Sequence, residues 1–251
     1  MKGKTLRTLL HHTLFLCVGL GLWEWGARVG WIDQSFVGSP LGIITFTLEN
    51  FSNARLWGDL GWTLLAVFSS FVIGSVAAMI TGLAFVTWPK FESFCDPYVS
   101  AFNVLPRIAL VPLFILWFGL GIGSKIALGV SLTFFIVLSS TVAGIRGVSQ
   151  DHVTLTRTLG ACSRQMFFSV TLPGAIPVLF SGLRLGVIYA LLGVVGAEVI
   201  ASERGLGQQL AYLGSTFNVN GVWSLLFDLA LIGVLIMKLM NWIERRLLHW
   251  Q

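Results

Sequence analysis

Charged residues are scarce in this sequence. Asp, Glu, Lys and Arg together make up 11% of its 251 residues, whereas 55% are hydrophobic, and the mean hydropathy is +0.84. A soluble domain carries roughly 25% charged residues. Water does not wet a surface with so few charges, so lipid is expected to cover most of the chain.

The motifs of several enzyme and binding classes are also missing. The sequence contains no G-x-x-x-x-G-K-[ST], so another polypeptide must supply any nucleotide binding. It contains neither H-E-x-x-H nor G-x-S-x-G, which argues against an intramembrane enzyme. Cys17, Cys95 and Cys162 form no C-x-x-C, and metal binding by His11 and His12 is not expected. No catalytic, cofactor-binding or metal site is therefore predicted.

Six long apolar stretches run through the chain. They cover residues 9–28, 62–87, 94–118, 125–144, 175–200 and 222–243. Each is long enough to cross a hydrocarbon core about 30 Å thick, and backbone groups in lipid must be satisfied within the segment. The expected fold class is an all-α membrane protein with about six transmembrane helices. The first stretch lacks a small-x-small cleavage site, which favours an uncleaved helix over a signal peptide.

The basic residues fall unevenly on the two sides of these helices. Ten lie on the side of the termini and four on the other, and no run of five indicates a nucleic-acid patch. The positive-inside rule therefore places both termini in the cytoplasm. The ten are Lys2, Lys4, Arg7, Lys90, Arg146, Arg157, Arg164, Lys238, Arg245 and Arg246, and the four are Arg28, Arg55, Lys125 and Arg204.

The segment after the first helix carries a helix-start signal. Residues 1–55 are predicted to form an N-terminal transmembrane helix followed by an outer amphipathic segment. Within that segment, Ser39 and Pro40 have the pattern of an N-cap and a first helical residue. They predict a short helix that runs to about Asn50 and lies flat on the outer surface.

Small residues and prolines mark three of the membrane helices. Ladders of small residues, which let helix backbones approach closely, occur at Gly74, Ala78 and Gly82 and again at Gly182 and Gly186. The ladders support close packing without identifying a partner. Pro106 and Pro112 each remove a backbone donor, so both are expected to kink the helix over 94–118.

The polar segment before the fifth apolar stretch is the most informative part of the sequence. Residues 146–173 are far more polar than their neighbours and lie on the cytoplasmic side. Asp151 is predicted to cap a helix that runs through Thr158, and Gly160 to end it in a left-handed turn. A second short helix, residues 163–169, is predicted to stop before the next transmembrane helix. Together they would form a rigid knob.

This segment resembles the cytoplasmic loop of the permease subunits of ABC importers. That loop has the pattern E-A-A, three residues, G, nine residues, I, one residue, L-P. The spacing is met in full here, with Gly160 at G, Val170 at I, and Leu172 and Pro173 at L-P. Residues 154–156, Thr-Leu-Thr, stand in place of E-A-A, so an acidic contact with the ATPase, which the resemblance implies, is not expected from this chain.

The resemblance extends to both sides of the loop. Residues 105–125 look like the third-helix signature of the nitrate/sulfonate/taurine branch, and residues 172–207 look like its fifth helix and following loop. The resemblance covers residues 56–245, which are expected to form an ABC importer transmembrane domain with its coupling loop at 146–173. It implies the type I ABC importer permease fold.

That family membership would imply a set of partners. The chain would act in a bacterial inner membrane with a second copy of itself, cytoplasmic ATPase subunits and an extracytoplasmic solute-binding protein. ATP would be used by the partner ATPase, whose closure would rock the membrane helices. The residues that the resemblance assigns to the ATPase contact are Asp151, Thr154, Thr158, Leu159, Gly160, Ala161, Val170, Leu172 and Pro173.

Ionisable and polar residues inside the spans are candidates for the translocation path or its gate. Arg107 either lines the path or bonds carbonyls freed at the nearby bend, and Arg184 either lines the path or pairs structurally. Glu198 either holds an outer gate by bonding a neighbouring helix or caps the lipid interface. Asn103 and Tyr189 are further path candidates.

The solute expected from the resemblance is a small anion such as nitrate, a sulfonate or another small organic acid. An alternative class is a secondary transporter driven by an ion gradient. That class is marked by inverted repeats and helices interrupted at matching positions, and the sequence shows no such repeat.

Overall fold

The computed structural model describes residues 2–31 and 33–247, and all regular structure in these ranges is helical. The helices are α1 (Lys2–Val29), α2 (Gln34–Val37), α3 (Pro40–Phe51), α4 (Ala54–Thr87), α5 (Pro89–Val104), α6 (Val111–Phe118), α7 (Ile122–Arg146), α8 (Gln150–Thr158), α9 (Ser163–Met166), α10 (Leu172–Ile200), α11 (Leu206–Ser215) and α12 (Val219–Leu247). A 3₁₀ turn covers Arg107–Leu110 and a π-helical turn covers Phe167–Thr171. The predicted all-α membrane fold is confirmed.

Four helical segments in the described ranges are long and apolar enough to cross a membrane. They are α4, α7, the segment Ser163–Ile200 that contains α10, and α12 up to Arg246. A fifth crossing is reached if α5 and the segment Arg107–Phe118 count as one broken span. Helix α1 is not in this group, so the count of six crossings stays a prediction.

The third predicted span is not a single kinked helix. Helix α5 ends at Val104, and the segment that begins at Arg107 is turned from it by 89°. Pro106 accounts for the break, because its ring disfavours helical backbone at the preceding residue, and Leu105 is extended at φ −59° and ψ 133°. Pro112 lies in the first turn of α6, where no backbone donor is needed, so it starts a helix and does not kink one.

The centre of the fold is α7, which packs between α4 and α10. The small-residue ladders of both neighbours face it. A Cβ added at Gly74 would lie 2.9 Å from the Thr133 Cβ, and one added at Gly82 would lie 2.7 Å from the Thr141 Cγ2. Gly182 meets α7 at Ser140 in the same way. The partner that the sequence did not identify is therefore α7, and a side chain at any of these three glycines would collide with it.

Helix α3 is anchored to α12. Ser39 caps α3 as predicted, since its Oγ accepts the Gly42 N–H at 3.2 Å. The Ser39 N–H donates to Asn220 Oδ1 at 2.9 Å, and the hydroxyls of Thr47 and Ser224 bond at 2.9 Å. The predicted short helix is confirmed at Pro40–Phe51, and these bonds hold it against the start of α12.

Candidate functional site: the polar segment 146–173 and the buried polar groups

The polar segment 146–173 contains the predicted first helix, with a different cap. Helix α8 runs from Gln150 to Thr158, and its N-cap is Ser149, whose Oγ accepts the Asp151 N–H at 3.3 Å. The prediction that Asp151 is the cap is therefore wrong. Asp151 lies inside the first turn, where its negative charge faces the positive end of the helix dipole.

The end of α8 agrees with the predicted glycine turn. Gly160 has φ +83°. Its N–H donates to the Arg157 carbonyl at 3.0 Å, and the Ala161 N–H donates to the Thr156 carbonyl at 3.2 Å. These two bonds make a Schellman motif, in which the left-handed residue lets the chain return over the last turn of the helix. The motif fixes the direction in which the chain leaves α8.

The second predicted helix does not stop at Leu172-Pro173. Helix α9 passes through the π-helical turn directly into α10. Pro173 lies in the first turn of α10, and a wide turn before it accommodates a residue that donates no backbone bond. Val170, Leu172 and Pro173 are half-buried at this root. Helix α9 is thus continuous with the membrane-crossing helix α10.

Helix α8 presents apolar side chains on a polar helix. Leu155 is 59% exposed and Leu159 is 78% exposed. They are four residues apart, so they lie on one face of the helix end. Thr154 and Thr158 beside them are also exposed. No described residue covers these two leucines to any large extent. An exposed pair of leucines on an otherwise polar helix is typical of a docking surface.

Arg107 and Asn103 are brought together at the break between α5 and α6. The Arg107 Nη2 donates to the Asn103 Oδ1 at 2.6 Å and to the Asn103 carbonyl at 3.2 Å. The guanidinium carbon lies 4.3 Å from the centre of the Phe135 ring on α7. The carbonyl bond matches the expectation that Arg107 bonds carbonyls freed at the bend. Among the described residues, only the Nη2 of this guanidinium forms hydrogen bonds.

Arg184 joins α10 to α12. Its Nη1 donates to Asn241 Oδ1 at 3.1 Å, and its Nη2 forms a salt bridge with Glu244 Oε1 at 3.1 Å. The charge of Arg184 is thus balanced within the chain. Tyr189 lies further along α10 with its side chain exposed, and it shares none of these bonds.

Glu198 is buried at the contact between α10, α4 and α11. It is 1% exposed. Its carboxylate accepts the Thr63 hydroxyl at 2.9 and 3.0 Å and the Gly207 N–H at 2.9 Å. A Cβ at Gly205 would collide with this carboxylate, and one at Gly207 would collide with the Glu198 Cβ and the Val195 carbonyl, so only glycine fits at either position. The carboxylate therefore faces protein, and it does not face lipid.

Three buried polar residues near Glu198 were not singled out from the sequence. Thr63 also accepts the Leu206 N–H at 3.0 Å, and Asp59 accepts the Gly205 N–H at 3.0 Å and the Gln209 amide at 2.5 Å. Lys125, assigned above to the outer surface, is 1% exposed and donates to the Leu120 carbonyl.

Two members of this cluster, Asp59 and Thr63, could have been recognised from the sequence. Asp59 and Thr63 are four residues apart, which places them on one face of a helix whose surroundings are apolar. Polar groups at that spacing in a membrane segment indicate a shared polar partner. The partner itself lies more than a hundred positions away, so the spacing alone does not identify it.

The chain is similar to known transport proteins over most of its length. Residues 70–249 match the family described as binding-protein-dependent transport system inner membrane component. A formylaminopyrimidine transport permease protein of Halalkalibacterium halodurans is 31% identical, with 96% of each chain covered. The taurine transport system permease protein of Escherichia coli is also 31% identical, over 94% of this chain and 87% of its own.

Solved structures share the fold. A chain of the MetNI methionine ABC transporter in an inward-facing conformation superposes with a TM-score of 0.66 at 21% identity. That match covers 78% of this chain and 98% of the other. A chain of an amino acid ABC transporter with histidines gives a TM-score of 0.66 at 18% identity, over 82% and 97% of the two chains.

Proposed function

The chain belongs to the binding-protein-dependent transport system inner membrane components, and from that membership we propose that two copies of it form the solute path of an importer coupled to ATP hydrolysis through α8. The chain is the permease subunit of an ABC importer in the inner membrane, and it works with ATPase subunits and a binding protein. ATP is hydrolysed on the separate subunit. These relatives do not favour a secondary transporter or an intramembrane enzyme.

The surface of α8 is the single observation that carries the coupling proposal. Leu155 and Leu159 project from a helix whose exit is fixed by the Schellman turn at Gly160. From that turn the chain passes through α9 and the π-helical turn into α10. A groove on the ATPase that covers the two leucines would therefore move α10 when it moves. Because Thr154 stands where relatives have an acid, the contact would rest on apolar burial and on shape.

Exchange of one leucine tests this coupling role. Leu159→Asp should prevent co-purification of the ATPase subunit and abolish ATP hydrolysis stimulated by the loaded binding protein. Leu48→Asp, a similarly exposed leucine on α3, is the matched control and should leave the ATPase bound. Undiminished ATPase binding by the Leu159 variant would place the docking site elsewhere.

The broken third span supports a second copy of the chain. Non-helical backbone at membrane depth is stable only where protein covers it or water lines it. The break at Leu105 and Pro106 and the eight-residue helix α6 need such cover, and Leu116 and Trp117 of α6 are 81% and 64% exposed in a single chain. A second copy packed on this side would cover α6 and leave Arg107 beside a shared cavity.

The solute is proposed to be a small molecule with an anionic group. In the described part of the chain Arg107 has no acidic partner, whereas the charge of Arg184 is balanced by Glu244, so the support inside the chain rests on Arg107. The Escherichia coli relative is named for the transport of taurine, and taurine carries a sulfonate. An anionic solute agrees with that name. Purification of the complex with its binding protein, followed by a ligand screen on that protein, would identify the solute.

The proposed membrane arrangement keeps the predicted division of the chain. Residues 1–55 would add α1 and the outer segment with α3 to a transmembrane domain at 56–245. Six crossings would then leave both termini in the cytoplasm, with α8 on the same side and the Glu198 cluster at the opposite end of α10. Through its bonds to α4 and α11, Glu198 would hold those helices together at the outer end of the path.

A further inference from the structure

Asp228 carries a carboxylate on the membrane-crossing helix α12. This carboxylate has no partner in the described part of the chain. No hydrogen bond and no salt bridge to its side chain is formed by the described residues, in contrast to Glu198 and Glu244. Ionisable groups at membrane depth are costly unless something compensates them. A partner from outside the chain is therefore expected.

The carboxylate opens into a cleft between α4 and α12. Apart from Asp228, every side chain that lines this cleft is apolar or aromatic, and those that matter here are Leu56, Trp57, Leu60, Leu231 and Leu235. Asp228, Leu231 and Leu235 recur at helical spacing on one face of α12, over about 10 Å of helix length. The cleft is thus an apolar channel with one acidic group at one end.

The acidic end lies close to α3, which the proposed topology places at the outer membrane interface, and the inference rests on that topology. Ser224, one helical turn before Asp228, bonds to Thr47 of α3 at 2.9 Å. Asp228 is therefore about 6 Å deeper along α12 than that contact. Trp57 donates to the carbonyl of Phe51, the last residue of α3, at 2.9 Å, and it lines the cleft. An interfacial helix sinks its apolar face about 5–10 Å into the boundary between headgroups and acyl chains, which sets Asp228 at that boundary.

We propose that this cleft binds a phospholipid with a primary ammonium head, of the phosphatidylethanolamine class, from the leaflet that carries α3. The ammonium donates a charge-assisted hydrogen bond to the Asp228 carboxylate, and an acyl chain follows Leu231 and Leu235 away from the surface. A quaternary ammonium, as in phosphatidylcholine, has no N–H to donate. An anionic headgroup would be repelled by the carboxylate.

The test compares lipids that differ only in their headgroup. The complete importer, purified in detergent and stripped of lipid, receives equal amounts of phosphatidylethanolamine, phosphatidylcholine and phosphatidylglycerol with identical acyl chains, and bound lipids are counted by native mass spectrometry. The wild-type complex should prefer the ethanolamine lipid roughly tenfold, as one hydrogen bond to a charged group allows. Asp228→Asn should reduce this preference to near parity, and Asp228→Glu should keep it.

A second carboxylate provides the control. Glu49 is exposed on α3 and does not line the cleft, so Glu49→Gln should keep the preference. The proposal is overturned if the wild-type complex binds the three lipids equally or prefers the anionic one. Retention of the ethanolamine preference by Asp228→Asn overturns it as well. A wild-type complex without the preference overturns the proposal even if that variant assembles poorly.

Discussion

The hydroxyl of Thr63 on α4 donates to both carboxylate oxygens of Glu198 on α10, at 2.9 and 3.0 Å. The same oxygen atom accepts the N–H of Leu206 at the start of α11 at 3.0 Å. One hydroxyl therefore connects three helices at the end of the bundle opposite α8. Thr63 is 1% exposed, so no water replaces these bonds when the hydroxyl is removed.

Thr63→Val should destabilise the complex while preserving the shape of the side chain. The change leaves a buried carboxylate and a buried amide each short of a partner, at a cost of about 1–3 kcal/mol. A lower unfolding temperature of the purified complex is the expected observation. Thr81→Val is the matched control, because the Thr81 hydroxyl bonds only the Ala77 carbonyl on its own helix. Equal unfolding temperatures for the two variants would contradict the bridging role.

Gly160→Val should abolish transport and the ATP hydrolysis stimulated by the binding protein. No heavy atom lies within 4 Å of an added Cβ, so the cost comes from the backbone at φ +83°, which a β-branched residue adopts poorly. Gly160→Asn should retain more activity, since Asn tolerates left-handed backbone. Insertion and assembly are checked by co-purification. Full stimulated ATPase activity in the Val variant would mean that the turn is not needed for coupling.

The start of α3 and the end of α8 were predicted correctly. Both predictions rest on residues that constrain the backbone locally. Ser39-Pro40 starts a helix, and Gly160 ends one, whatever surrounds them. The break at Pro106 was predicted only as a kink, because its 89° angle depends on what covers the freed backbone. The observed N-cap of α8, Ser149, lies two residues before the predicted one, Asp151. Local sequence propensity does not locate the start of a helix to within two residues.

The polar cluster could be anticipated only in part. Glu198 was a candidate because a carboxylate in an apolar helix is costly. Its partner Thr63 lies 135 positions away in sequence, and no local pattern connects them. In the sequence Gly205 and Gly207 look like ordinary turn glycines, and only the packing of Glu198 against them shows why any side chain is excluded there. Such pairings come from the packing of α4 and α10 on α7, which a single sequence does not specify.

Cysteine labelling should place α8 and the start of α4 on opposite sides of the membrane. In a chain with its three native cysteines replaced, Gln150→Cys should react only from the cytoplasm and Ser52→Cys only from outside. Ser52 is exposed and spares Asn53, whose side chain caps α4 through the Arg55 N–H. Labelling of both positions from the same side would contradict the proposed topology.

Arg107 and Arg184 should respond differently to the same pair of substitutions. Arg→Lys keeps the positive charge and loses the planar guanidinium with its paired N–H donors, whereas Arg→Gln loses the charge. If Arg107 faces an anion path, Arg107→Lys should retain much transport and Arg107→Gln should lose most of it, with the complex assembled in both. Normal transport by Arg107→Gln would remove the support inside this chain for an anionic solute.

Arg184 should behave as a structural residue, because its loss strands the Glu244 carboxylate between α10 and α12. Arg184→Gln should therefore assemble poorly, since removing one partner of a part-buried ion pair costs more than the pair contributes. Removing the stranded charge as well should restore assembly, so the double variant Arg184→Gln, Glu244→Gln should yield more complex than Arg184→Gln alone. Yield is measured by co-purification with the ATPase, and transport is then assayed in vesicles. If the double variant assembles but does not transport, the Arg184 charge acts on the solute after all, and the structural assignment is wrong.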